Sequence, residues 1–307
     1  MPATTTLKNL ILTILLIPGA AAAAGGSFEE TVALAGPVVL DVDTGSGSID
    51  VRTGSGGEAS IVGTIEVKRS GFWRSRANAG EIVRQVIDEP PVELSAGRLR
   101  VGHFADRSLG RKVVVSYEIV VPADTEVVAD AGSGSIRIAG IAAPVDADTG
   151  SGNIELTNIG GSVKADTGSG SIRADGVAGA FRADTGSGSV YLLQTAPGDV
   201  DVDTGSGSSE LRGVAGALRA DSGSGRIVVE GRLEGPWQLD TGSGPVSVDL
   251  PDDAAFDFDA ESNSGSITID HPLTVRDKIS KRRVTGEVRG GGPLLQIDTG
   301  SGSITVR

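Results

Sequence analysis

The sequence contains no cysteine. This excludes disulfides, a thiolate nucleophile and a lipid-modified N-terminal cysteine. Its two histidines, His103 and His271, lie far apart with no ligand cluster around either, so both read as ordinary surface residues rather than metal ligands. Aromatic residues make up only 3% of the 307 positions, although 38% are hydrophobic. The core must therefore be thin and built mostly from Val, Ile and Ala between closely spaced backbones. Positive charge is also scarce: 27 Lys and Arg against 40 Asp and Glu leave a net charge of −13. That balance argues against nucleic acid as a partner, because phosphate binding needs a basic surface. It suits a soluble exported protein and is compatible with cation binding. The apolar run Leu10–Ile17 is well short of the roughly 20 residues that span a bilayer.

That run reads instead as part of a signal peptide over residues 1–24. Lys8 is the only charge before it, Pro18 and Gly19 break it, and Ala20–Ala24 offer an A-x-A cleavage site. The mature chain is expected to start at Gly25 and to carry no transmembrane segment.

Glycine is abundant, with 46 residues, about twice the usual share. Much of it lies in a repeated Asp-Thr-Gly-Ser-Gly-Ser-Ile motif. The acidic residue recurs at Asp43, Asp130, Asp148, Asp166, Asp184, Asp203, Asp221, Asp240, Glu261 and Asp298. From Asp130 to Asp240 the steps are 18, 18, 18, 19, 18 and 19 residues. A fixed period of this size marks a solenoid, in which each repeat buries its apolar side against its neighbours. Three residues before the acid stand Val127, Val145, Val163, Phe181, Val200, Leu218 and Trp237. One residue before it the side chains are again apolar, and apolar positions alternate with polar ones after the glycines too. Period-2 alternation is the mark of a strand with one buried face. Each copy is thus strand, tight glycine turn, strand, with a second turn closing the coil. The predicted fold is an all-β, single-stranded β-solenoid of about 18 residues per coil, occupying residues 25–307.

In this alignment the acid points outward, while the threonine after it (Thr44, Thr149, Thr167, Thr185, Thr204, Thr241, Thr299) points inward. The turn glycines are expected at positive φ, and stacking of turns also demands close backbone approach.

Two segments interrupt the period. The first, residues 52–125, carries an alternating stretch Ile61–Val67 and an Asn78-Ala79-Gly80-Glu81 capping box. Ile82, Val83, Val86 and Ile87 form one helical face, Pro90 and Pro91 stop the helix, and strands follow at Arg98–Val101 and Lys112–Val121. This helix-bearing excursion is expected to cap or flank the N-terminal part of the rod. The second, residues 270–293, contains the basic, turn-rich "RDKISKRRVTGEVRGGGP".

The stretch "VSYEIVVPADTEVVADAGSGSIRI" and the closing "GEVRGGGPLLQIDTGSGSITVR" resemble the bacterial putative-adhesin family of secreted β-strand repeat domains. The resemblance covers roughly Val38 to Arg307 and extends to head domains of auto-transporter adhesins. It implies a β-solenoid at the cell envelope and no catalytic residues.

The acid column carries the main candidate chemistry. At a coil spacing of about 4.8 Å, neighbouring carboxylates repel by roughly 1 kcal/mol each at the dielectric of water. One reading offsets this with Asx-type turns, each carboxylate accepting hydrogen bonds from turn N–H groups. The other is a divalent-cation column, Ca2+ for example, along Asp148, Asp166, Asp184, Asp203, Asp221 and Asp240. Calcium-binding β-rolls place Asp after the glycines, however, and here it precedes them. Paired carboxylates could also hydrolyse a glycosidic bond, but that needs one acid in a distinct environment rather than many alike. Asp-Thr-Gly also occurs in aspartic proteases, yet so many copies at coil spacing fit a turn.

Two clusters are candidate partner contacts: Phe72, Trp73, Arg74 and Arg76, and Lys281, Arg282 and Arg283. Either could meet a protein or an anionic envelope glycan. The expected function is non-enzymatic: an exported adhesive, structural or partner-binding module with no cofactor. A carbohydrate-active enzyme and an envelope-stress accessory are the alternatives. The sequence leaves the oligomeric state open, since an exposed terminal coil could pair with a second chain.

Overall fold

The computed structural model describes residues 25–68, 76–275, 280 and 282–307. Among them the alternating pattern produces two sheets, one of 13 strands and one of 14, facing each other across a narrow core. A single coil shows how. Strand Val163–Thr167 lies in the larger sheet, the Gly168-Ser169-Gly170 turn follows, and Ile172–Val177 lies in the smaller sheet. A second turn then leads to Phe181–Thr185, back in the larger sheet. Val163, Ala165, Thr167, Ile172, Ala174 and Val177 face inward and are buried. Successive coils pair in parallel, so Val163 meets Phe181, Asp166 meets Asp184 and Thr167 meets Thr185, and the register shifts only at strand ends of the smaller sheet, between Asp175 and Val177 and between Arg212 and Val214. The expected all-β solenoid is the observed fold.

The two turns use glycine for different reasons. The glycines of Gly-Ser-Gly are not at positive φ, contrary to the expectation from sequence. That conformation belongs to the second turn, at Gly140 (φ 79°), Gly176 (85°) and Gly213 (73°), with Asn158 taking the equivalent place at 54°. Asn is among the few residues that tolerate this region. In Gly-Ser-Gly the demand is close approach. A Cβ on Gly152, Gly170, Gly188, Gly207 or Gly225 would penetrate the carbonyl oxygen of the equivalent glycine one coil earlier.

Threonine clamps this turn. Thr167 Oγ1 donates to the Gly152 carbonyl at 3.0 Å and accepts the Gly170 N–H at 3.1 Å. Thr149 and Thr185 repeat the arrangement on their own coils. The Asx-turn expectation for the acid column is therefore corrected. The acid points out of the sheet, and the residue after it, pointing inward, reaches the turn N–H.

Both ends of the rod depart from chain order. Asp43 stacks directly on Asp130, so the long excursion between them leaves and returns to the same edge. It adds a coil outside the first one: Arg98–Val101 pairs in parallel with Val39–Val42, and Val113–Val121 with Ile49–Thr53. Antiparallel strands Gly25–Ala33, Glu58–Val67 and Val92–Ser95 cover the outer edges. The helix runs Arg76–Asp88, starting two residues before Asn78, and buries Ile82, Val83 and Val86.

At the other end, the final copy is not the final layer. Leu294–Thr299 inserts between Trp237–Thr241 and Phe256–Ser262. Ile304–Val306 inserts likewise between Val246–Asp249 and Ile267–Ile269. The outer edge of Phe256–Ser262 is then covered by antiparallel Arg283–Val288, and that by Leu273–Val275. Charged or short antiparallel strands are a familiar way to blunt an edge. Each sheet carries eleven parallel strands, a stack of about 48 Å at the usual strand spacing.

Gly170→Ala should cost at least about 3 kcal/mol, at the top of the range for overpacking, because backbone would have to move against backbone. Gly80→Ala, in the helix with open space around it, should instead stabilise by up to about 1 kcal/mol. Thermal melting of the two variants checks the contrast, and equal effects would overturn the close-approach account. Thr167→Val removes the clamp from a buried donor and acceptor and should cost about 1–3 kcal/mol in the same assay.

Candidate functional site

Parallel register turns the recurring acids into one ladder on the outer face of the larger sheet. In space its order is Asp43, Asp130, Asp148, Asp166, Asp184, Asp203, Asp221, Asp240, Asp298 and Glu261. Neighbours are one coil apart. Partial burial raises the carboxyls of Asp130, Asp148 and Asp184 above the ordinary aspartate value, and adjacent ladder carboxylates raise them further. Asp221 is raised by burial as well, against the opposing pull of Arg219.

A second outward column, two residues earlier on each strand, supplies counter-charge in the middle of the rod. Lys164 Nζ stands 2.8 Å from Asp166 and 3.4 Å from Asp146. Arg182 pairs with Asp201, and Arg219 lies 2.7 Å from Asp221. At the C-terminal end Arg283 holds Asp259 at 2.8 Å and reaches Glu261 at 3.8 Å. Asp298 accepts a hydrogen bond from Gln296 Nε2 at 3.1 Å. Among the described residues no three His, Asp or Glu side chains converge on a point that could hold a metal ion. In-register stacking puts one acid per coil in a line, which is the wrong shape for a coordination sphere around a single ion.

Of the other predicted site residues, Phe72, Trp73, Arg74 and Lys281 lie outside the described residues. Arg76 opens the helix. Arg282 is exposed, while Arg283 is tied to the rod by its ion pairs. His103 presents Nε2 3.1 Å from Asp41 Oδ1. His271 is not the surface residue expected: it is 8% exposed and packs edge-on against Phe256, with ring centroids 5.6 Å apart.

Two of the concavities among the described residues lie beside the ladder. One, of about 570 Å3, runs along the ladder face at the strand starts, between Arg182, Arg219, Pro236, Gln238 and Leu294. Four positions before the acid, Ala180, Asp199, Ala217 and Pro236 on successive coils all line it. The other, also of about 570 Å3, lies at the N-terminal cap between Asp43, His103, Phe104, Arg107, Arg111 and Tyr117. No column contains it, because the excursion brings those residues together.

The family profile described as Toastrack DUF4097 matches residues 101–307, more than half of the chain. The chain belongs to the Toastrack family. The match begins in strand Arg98–Val101 and takes in the coils from Asp130 onward of this Toastrack chain, leaving the Asp43 coil outside it. Among solved structures, a putative adhesin from Bacteroides fragilis is 12% identical, with a TM-score of 0.41 over 92% of this chain and 97% of its own. A putative lipid binding protein from Parabacteroides distasonis is 11% identical, with a TM-score of 0.36 over 92% and 96%. A putative cell adhesion protein from Clostridium sporogenes is 12% identical, with a TM-score of 0.25 over 92% and 98%. No curated protein matches the sequence.

The raised carboxyls link stability to pH. A group whose folded value lies above its unfolded one favours the fold while protonated. That contribution is complete below the ordinary aspartate value and is lost as pH rises through the raised values. Neutralising Asp148 and Asp184 as Asp148→Asn and Asp184→Asn should therefore raise Tm by about 2 °C each at pH 7 and low salt. The gain should shrink toward pH 4 and at high ionic strength. Melting curves across that range test it, and variants less stable than the parent at pH 7 would contradict it.

Proposed function

We propose that this protein is an exported, non-enzymatic adhesive or structural module of the cell envelope, acting by presenting its flat sheet faces to a glycan or protein partner. The observation that carries the reading is the sameness of the ladder. In-register pairing sets each acid beside its own copy on the next coil, in the same place on the same sheet face, whereas acid–base catalysis needs two carboxyls driven apart by different surroundings. A surface repeated every coil instead gives many weak, equivalent contacts, which suits retention of a polymer by multivalency.

Export rests on the leader-like residues 1–24 and on the strand Gly25–Ala33, which pairs with Glu58–Val67 from its first residue. No helix among the described residues is long and apolar enough to cross a membrane.

The mature chain from Gly25, displayed against an array of envelope glycans and acidic polysaccharides, should retain ligand of unchanged length, with no new reducing ends. Release of shorter products, abolished by one ladder Asp→Asn change and not by others, would replace this reading with that of a β-helix glycosidase. Mass spectrometry of the exported protein should find Gly25 at the N-terminus, and a retained leader would sink the export claim.

A further inference from the structure

The cap pocket holds an unusual set of unsatisfied groups. Tyr117 is 1% exposed, and its hydroxyl has no hydrogen-bond partner. Burial, with the Asp43 carboxylate nearby, pushes the phenol well above its ordinary value, so it stays a protonated donor at neutral pH. Buried hydroxyls without a partner are rare and call for an explanation. Gly102, at φ 86°, closes over this ring. A Cβ there would run into the Asp43 carbonyl and come within 3.3 Å of the Tyr117 ring.

Three charged residues of the wall are uncommitted. Arg107 and Arg111 make no ion pair, and Asp43 accepts no hydrogen bond, among the described residues. His103 is engaged with Asp41 rather than with the pocket acid. Unpaired cations and an unpaired carboxylate thus share one cavity of about 570 Å3, which also exposes the half-buried ring of Phe104. A simple anion would leave Asp43 and Tyr117 unanswered and would be repelled by Asp43. A neutral sugar would leave both guanidinium groups unanswered.

We propose that this pocket binds an acidic monosaccharide unit of the hexuronate type. The sugar carboxylate sits on Arg107 and Arg111, its hydroxyls meet Asp43 and the otherwise orphaned Tyr117 hydroxyl, and its apolar ring face lies against Phe104. Planar guanidinium donors match a carboxylate, and a carboxylate acceptor beside an aromatic plate suits a ring that is hydroxylated at its edge and apolar on its face. The assignment rests on the adhesive reading for its biological sense, since it names the class of glycan retained, but its test is separate from that reading.

The test is titration of the mature chain with D-galacturonate, D-galactose and acetate, followed by calorimetry and by the shift in melting temperature. Galacturonate should bind at least tenfold more tightly than either control. Tyr117→Phe, which keeps the ring and removes only the hydroxyl, should weaken it by about tenfold while melting no lower than the parent without ligand. The surface double variant Arg107→Gln/Arg111→Gln should abolish the preference over galactose. It provides the reading should Tyr117→Phe fail to fold. Equal binding of galactose, equal binding of acetate, no saturable binding, or no effect of either variant would each overturn the proposal. Because a free monosaccharide needs no extended face, binding here without polymer retention would fail the adhesive reading alone, and retention without binding here would fail the pocket alone.

Discussion

The structure depends on one close contact, the approach of each Gly-Ser-Gly turn to the turn below it. The second glycine of one coil lies so near the carbonyl of its counterpart that no side chain fits between them. Such a contact permits one register only. Once the turns stack, the strands on both sides are committed to in-register parallel pairing, with Ala165 over Ala147 and Ile172 over Ile154. The thin Val, Ile and Ala core then fills a gap whose width the turn has already set. Threonine holds the contact by satisfying a carbonyl of the coil below and an N–H of its own turn with a single hydroxyl.

The same register creates the electrostatic problem. Whatever stands beside the turn on one coil must stand beside its own copy on the next, so an acid becomes a ladder of acids. The chain relieves this unevenly. Lys164, Arg182 and Arg219 neutralise the middle of the rod, and Arg283 the C-terminal end. Asp130, Asp148 and Asp184 show the strain as raised carboxyls, and burial raises Asp221 even with Arg219 beside it. The ladder is therefore a consequence of the turn geometry before it is a candidate site.

Much of this was readable in the sequence because a solenoid writes its packing as a period. The apolar columns, the inward threonines and the outward acids followed from alternation around a recurring turn. The sequence misled where one residue type answers two demands. Glycine serves positive φ at Gly176 and close approach at Gly170, and composition does not separate them. It was silent where the answer depends on which edge is free. The copy at Asp298 has the pattern of any interior copy, and nothing local says that it slips between Asp240 and Glu261. The cap pocket is invisible for a similar reason: Asp43, Arg107 and Tyr117 are distant in sequence and meet only when the excursion folds back.

The out-of-order ends follow from the same physics. A rod of parallel strands grows by adding edges, and an edge left open recruits another chain. Sequential winding would have left the Asp298 coil exposed at the tip. Instead that coil is buried between two others, and the tip is made of Phe256–Ser262 backed by antiparallel Arg283–Val288 and the three-residue strand Leu273–Val275. Antiparallel pairing changes the hydrogen-bond pattern, so the stacking rule that drives the interior cannot continue past it. The N-terminal end uses the same device, with Glu58–Val67 and Val92–Ser95 as the change of direction. Repetition builds the rod, and the two excursions that break the repetition are what give it a finite length.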